Sequence, residues 1–177
     1  MLAELVSLSN SQHDEIRQFS AYSLAKMSTN SDVRSIVVSN GGLEPVLYLA
    51  RTNSHDIQRE VVPALCCLSF STQNKIDICK FGGLSPVIAA LREPNQETAR
   101  LACCTIANLA EEVENMDKIV DANALPPLML ALAQSSPVVQ REAARALGNL
   151  AANIECVSHT FAHGEPFNNT SCYVLCA

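Results

Sequence analysis

Arg59, Arg100 and Arg141 recur 41 residues apart. A guanidinium is a planar fork that pairs a carboxylate or phosphate through two parallel hydrogen bonds, so a column of arginines reads as a surface for an acidic or phosphorylated ligand. A second reactive group, Cys156, His159, His163, Cys172 and Cys176, gathers toward the end of the chain. His159 and His163 stand four apart and could share a helix face, yet the whole spacing fits no zinc signature, and no metal site is expected. The chain has no Gly-x-Ser-x-Gly, no phosphate-binding glycine loop and no His-Glu-x-x-His, and its carboxylates follow the repeat or lie scattered. Neither catalytic residues nor a cofactor is expected, and the chain is not read as an enzyme.

The elements that carry the arginines repeat with the same period. Gly42-Leu43-Glu44-Pro45-Val46-Leu47, Gly83-Leu84-Ser85-Pro86-Val87-Ile88 and Ala124-Leu125-Pro126-Pro127-Leu128-Met129 are one phrase at offsets of 41 residues. By the same shift residues 16–27 fall on 57–68, 98–109 and 139–150, giving four copies of one helix. A period near 40 residues with helical patterning marks a solenoid, in which each unit buries its apolar face by stacking on the next. In the last copy Ala143, Ala144, Leu147, Leu150 and Ala151 form an apolar stripe at steps of three and four. Ser54, Asn95 and Ser136 are placed to cap the starts of these helices, and Pro137 suits a first turn. Shorter apolar segments at 33–38, 76–81 and 116–120 complete each unit. A unit is thus a short helix, a turn, a medium helix opening at Leu-x-Pro, a second turn and a long helix. Gly42 and Gly83 are expected at positive φ in the first turn, and Ala124, which replaces them, implies a different backbone there.

Gly-Gly-Leu-x-Pro-Val, followed about 20 residues later by a helix such as Arg141-Glu142-Ala143-Ala144-Arg145-Ala146-Leu147-Gly148-Asn149-Leu150-Ala151, resembles the armadillo repeat. The likeness covers roughly residues 1–152 and is nearest to generic arrays of the vacuole-associated adaptor type, with catenins and importin-α more distant. It implies an all-α fold, a right-handed armadillo superhelix (an α-solenoid) of about four three-helix repeats with incomplete end repeats. The expected divisions are a partial repeat at 1–29, repeats at 30–70, 71–111 and 112–152, and a degenerate tail at 153–177. That tail is either an improvised cap or the truncated end of a longer array. The resemblance further implies that the third helices line a concave groove for extended peptides.

Composition fits stacked helices: 48% of residues are hydrophobic, 17% charged, and the net charge is −6. No basic stretch precedes a long apolar run, and no run approaches the length of a membrane span. Glycine does not follow Met1 and no prenylation box ends the chain, so no membrane anchor is expected, although related adaptors associate with membranes. A cytoplasmic or nuclear monomer is expected. Of the eight cysteines, Cys66, Cys79 and Cys103 occupy repeat positions that other copies fill with small apolar residues, which makes them packing thiols.

On the outward side of the long helix, opposite the apolar stripe, residues four apart give one row per repeat: Gln18, Tyr22, Lys26; Arg59, Pro63, Cys67; Arg100, Cys104, Asn108; Arg141, Arg145, Asn149. Stacking would set the arginines roughly 10 Å apart. In the armadillo family the third place of such a row commonly holds an asparagine that bonds a bound peptide's backbone, and Asn108 and Asn149 match it. Importin-α carries tryptophan at the middle place to sandwich lysine stems, and this chain has no tryptophan. The reading is a protein-binding adaptor whose basic groove takes an extended acidic or phosphorylated peptide. The alternatives are that each arginine pairs locally with a neighbour such as Glu60 or Glu142, or that the chain is an importin-α-like cargo receptor. Net acidity and the lack of a broad basic face argue against nucleic acid.

Overall fold

The computed structural model describes residues 2–51, 55–134 and 136–152, excluding the side chains of 55–59. Among them are eleven helices and no strand. The first unit holds α1 (Leu2–Leu8) and α2 (Asp14–Ser28). Three fuller units follow: α3 (Ser31–Ser39), α4 (Leu43–Ala50) and α5 (His55–Leu68); α6 (Thr72–Lys80), α7 (Leu84–Ala90) and α8 (Gln96–Leu109); α9 (Val113–Asp121), α10 (Leu125–Leu132) and α11 (Pro137–Ala151). The medium helices α4, α7 and α10 begin at the leucine of Leu-x-Pro, where a proline in the first turn lacks only an amide that would have had no helical acceptor. The fold is an α-solenoid: each long helix packs on the last, α5 on α2, α8 on α5 and α11 on α8. Leu24, Leu65, Ile106 and Leu147 share one register and are all buried, each contributing about 2 kcal/mol as apolar surface leaves water.

The turn between short and medium helix differs from expectation by one residue. Positive φ falls on Gly41 (80°), Gly82 (85°) and Asn123 (60°), whereas Gly42 and Gly83 are right-handed. Those second glycines answer to space. A Cβ on Gly42 would collide with the Val37 side chain, and one on Gly83 would lie 2.6 Å from Ile78 Cγ2 and 2.9 Å from the Ile78 carbonyl oxygen. Ala124 does not bring a different backbone: its φ is −76°, close to −72° at Gly42. The methyl is accommodated where the amide reaches back five residues, with Ala124 N to Ile119 O at 3.3 Å against 2.8 Å for Gly83 N to Ile78 O.

Two further expectations change. Asn95 caps α8 by accepting from the Glu97 and Thr98 amides at 3.0 Å each, but Ser136 makes no such bond. Gln140 ties that corner instead, donating Nε2 to Leu132 O at 3.1 Å and Gln134 O at 2.7 Å. Of the stripe on α11, Ala143, Leu147 and Leu150 are buried together with Val139 and Ala146, while Ala144 is exposed and Ala151 half-buried. The counterparts of Ala144, which are Ala21, Val62 and Cys103, are fully covered, because each faces the unit that follows. No described residue packs beyond α11. Ser54, the Arg59 side chain, the 153–177 tail and its Cys156, His159, His163, Cys172 and Cys176 cluster lie outside the described residues.

Candidate functional site

The outward rows form three tiers across the long helices. Gln18, Lys26 and Arg141 are exposed, and Tyr22, Pro63, Cys67, Arg100, Cys104, Arg145 and Asn149 are half-buried. Asn108 alone among the described members is buried, at 3% exposure. Pro63, in the interior of α5, cannot donate a backbone bond to the carbonyl four residues back, and its ring replaces a longer side chain in the middle tier.

Every described cation of these tiers holds a carboxylate. Lys26 Nζ is 2.9 Å from Glu60 Oε2, which also accepts from the Tyr22 hydroxyl at 3.2 Å, and the ammonium sits 5.1 Å from the Tyr22 ring centroid. Arg100 grips Glu97 with both ends of its fork, Nε to Oε2 at 2.8 Å and Nη2 to Oε1 at 2.6 Å. Those bonds pull the Glu97 carboxyl below its ordinary value and push Arg100 up, while the Glu60 bond raises Lys26. Arg141 donates to Glu142 Oε1 at 3.0 Å. Arg145 donates Nε to Glu142 Oε2 at 3.1 Å and Nη1 to Glu111 Oε1 at 3.4 Å. The uniformly basic column expected from the arginine register is thus a column of ion pairs. The local pairing through Glu142 occurs, and Glu60 serves Lys26 and Tyr22 from the neighbouring repeat.

The amide tier is tied across repeats. Asn149 Nδ2 donates to Ala107 O at 2.9 Å. One repeat earlier the equivalent carbonyl, Cys66 O, accepts from Ser69 Oγ at 2.7 Å, and Asn108 Nδ2 donates to that hydroxyl at 2.8 Å. The serine extends the reach of an amide that would otherwise repeat the Asn149 contact. Asn108 Oδ1 accepts from Arg145 Nη2 at 2.9 Å, so its amide is engaged at both ends. Cys67 stands where the asparagine would be in α5, with its Sγ 4.0 Å from Thr29 O.

Glu97, Ser69 and Glu111 complete this network, and none follows from the rows. Ser69 and Glu111 lie just past the ends of α5 and α8, where a helical projection no longer fixes direction. Glu97 lies three residues before Arg100, the i,i+3 spacing at which helical side chains meet, and that signal was present in the sequence. No group of three or more His, Cys, Asp or Glu among the described residues could hold a metal ion. No helix among them is long and apolar enough to cross a membrane.

The armadillo/beta-catenin-like repeat model matches residues 71–111 and 113–152. A computationally designed armadillo-repeat protein for modular peptide recognition is 25% identical with a TM-score of 0.75, over 92% of this chain and 70% of that one. A designed armadillo-repeat protein in complex with the peptide (KR)4 is 26% identical with a TM-score of 0.71, over 91% of this chain and 69% of the other. In a structure from work on the interaction between cadherin and beta-catenin, a chain 17% identical superimposes with a TM-score of 0.71 over 85% of this chain and 30% of its own length, a likeness of fold alone. No curated protein sequence matches. Two units fit the repeat model, and the helices before them continue one stack at one period; the chain is an armadillo-repeat protein.

Proposed function

We infer that this chain is a non-catalytic scaffold, cytoplasmic or nuclear, that binds an extended peptide of a partner protein along the outward tiers of its long helices. The peptide carries an acidic or phosphorylated residue that meets α11. The observation that carries this reading is Arg141: its side chain is 72% exposed although it touches Glu142, so one side of its fork remains open to solvent. Asn149 keeps its Oδ1 unengaged among the described residues and is placed to accept a peptide N–H. Asn108 is committed internally, so backbone recognition rests on one row. Designed relatives made for peptide recognition support the general reading.

A second reading has its own support. The (KR)4 complex shows a related array holding a basic peptide, and here Glu97 and Glu111 are the more exposed partners of their ion pairs. Anisotropy titrations of extended phosphorylated, acidic and lysine/arginine peptides at two salt concentrations separate the two. The proposal expects salt-sensitive capture of the phosphorylated or acidic set, weakened about tenfold or more by Arg141→Glu. Preference for the basic peptide, lost in Glu97→Lys, would replace it with the second reading. Binding of neither would remove peptide capture from this chain.

A further inference from the structure

Lys75 on α6 reaches forward to the residues just past α8. Its side chain is 8% exposed, and its Nζ lies 2.7 Å from Glu111 Oε2 and 3.1 Å from Glu112 Oε1. One repeat earlier the same register puts Arg34 on α3, while Phe70 and Ser71 stand where Glu111 and Glu112 would be. The cation is kept and its carboxylates are gone. Arg34 is half-buried all the same: its Nε donates to Ser28 O at 3.1 Å, and its guanidinium carbon lies 5.6 Å from the Phe70 ring centroid. Its Nη1 and Nη2 donate to no described residue. A ring and a carbonyl thus hold the guanidinium in place, and the end of the fork that can grip an oxyanion through two parallel bonds is left unused. Phe70 is 62% exposed beside it. The pair borders the outward tiers. Cys67, the third-tier residue of α5, lies three residues before Phe70, and its Sγ is 4.0 Å from the carbonyl of Thr29, which follows the Ser28 that Arg34 holds.

We propose that Arg34 and Phe70 form a second oxyanion subsite, taking a carboxylate or phosphate of the bound peptide through Nη1 and Nη2 while the stem of that residue lies along the ring. At α6 the protein itself supplies two carboxylates to the cation of this register; at α3 the ligand supplies the charge. A half-buried guanidinium without a counter-charge has lost water that an incoming oxyanion replaces. The assignment to a peptide deepens the binding reading above and rests on it; the oxyanion site is testable apart from it. Phe70 is two stacking steps from α11 and follows the end of a long helix, whereas Arg141 is near the start of one. At ~10 Å per step and ~1.5 Å per helical residue the two subsites are roughly 25 Å apart, a span that about eight extended residues cover.

Anisotropy titrations of the full chain compare a labelled peptide carrying two phosphoserines about eight residues apart with its two singly phosphorylated forms. The same set with glutamate for phosphoserine separates a carboxylate source from a phosphate one. The doubly phosphorylated peptide should bind the parent about tenfold tighter than either single form, and Arg34→Gln should remove that gain. Arg34→Lys, lysine being the residue of α6 at this register, should keep only part of it, since the charge stays and the fork is lost. Loss of the gain in Arg141→Glu but not in Arg34→Gln, or equal affinity for single and double forms, would overturn the subsite and leave the peptide-binding reading standing. Phenyl phosphate alone tests the site without a peptide, through the side-chain NMR signal of Arg34 Nε–H, assigned by its disappearance in Arg34→Gln. A signal that moves on titration supports the subsite even if no peptide binds and the peptide reading falls; a signal that stays fixed overturns it.

Discussion

Across the α2–α5 boundary the groove face is bridged by an exposed charge pair, with the Lys26 and Glu60 side chains each 49% accessible. Across α5–α8 and α8–α11 it is bridged by amides, a hydroxyl and an arginine whose central member, Asn108, is nearly inaccessible. The geometric job is the same, tying one long helix to the next, but the surroundings differ. Water can replace each partner of Lys26 when the contact opens, whereas no water reaches Asn108 to compensate a lost bond. The exposed end is therefore the adaptable one, and the buried end is a fixed part of the frame on which Arg145 is held.

The sharpest way to break this contrast is Asn108→Ala. Its amide links Ser69 to Arg145, and removal leaves the fully buried Ser69 hydroxyl without its donor, takes the shortest acceptor from Arg145 Nη2 and opens a gap in a buried site, so unfolding free energy from denaturant titration should fall by about 2 kcal/mol. A loss no larger than that of an exposed ion pair would show that the two ends are built alike. Next in size is Glu142→Gln. Glu142 is 8% exposed and braces Arg141 and Arg145 together, so the neutral isostere should cost about 1 kcal/mol, with Arg145 leaning more on Glu111. Combining it with Asn108→Ala should give less than the sum of the separate losses, since both act through Arg145.

The period, the helix order and the inward leucine register were legible in the sequence because stacking repeats one packing problem, and the 41-residue offset records it. The turns were legible only to within a residue. A pair of glycines says that one must take positive φ and the other must lack a Cβ; the sequence does not say which does which, although Asn123 before Ala124 held the answer, since asparagine tolerates the left-handed region and alanine does not. The outward rows were legible as positions but not as charges. Whether Arg100 presents its fork to a ligand or closes it on Glu97 depends on side-chain rotamers, and a register does not encode those. Ala144 was read as core within the apolar stripe of α11; there a position covered in its counterparts becomes an open one because coverage comes from the neighbour, not from the helix itself.

The smallest effect belongs to the exposed end. Lys26→Met removes the pair with Glu60 and the contact with the Tyr22 ring, and at neutral pH it should cost no more than about 0.5 kcal/mol, because solvent screens a half-exposed pair. The sign of its pH dependence follows from the raised Lys26 value. A group that binds its proton more tightly when folded stabilises the fold fully while the unfolded chain is also protonated, below about pH 10.4, and loses that contribution as pH climbs through the folded value. The parent and Lys26→Met should therefore differ slightly at pH 7 to 9 and converge in strong alkali, and added salt should shrink the difference at every pH. A difference of 2 kcal/mol, insensitive to salt, would mean that Lys26 is shielded as Asn108 is, and the contrast between the two ends of the face would fail.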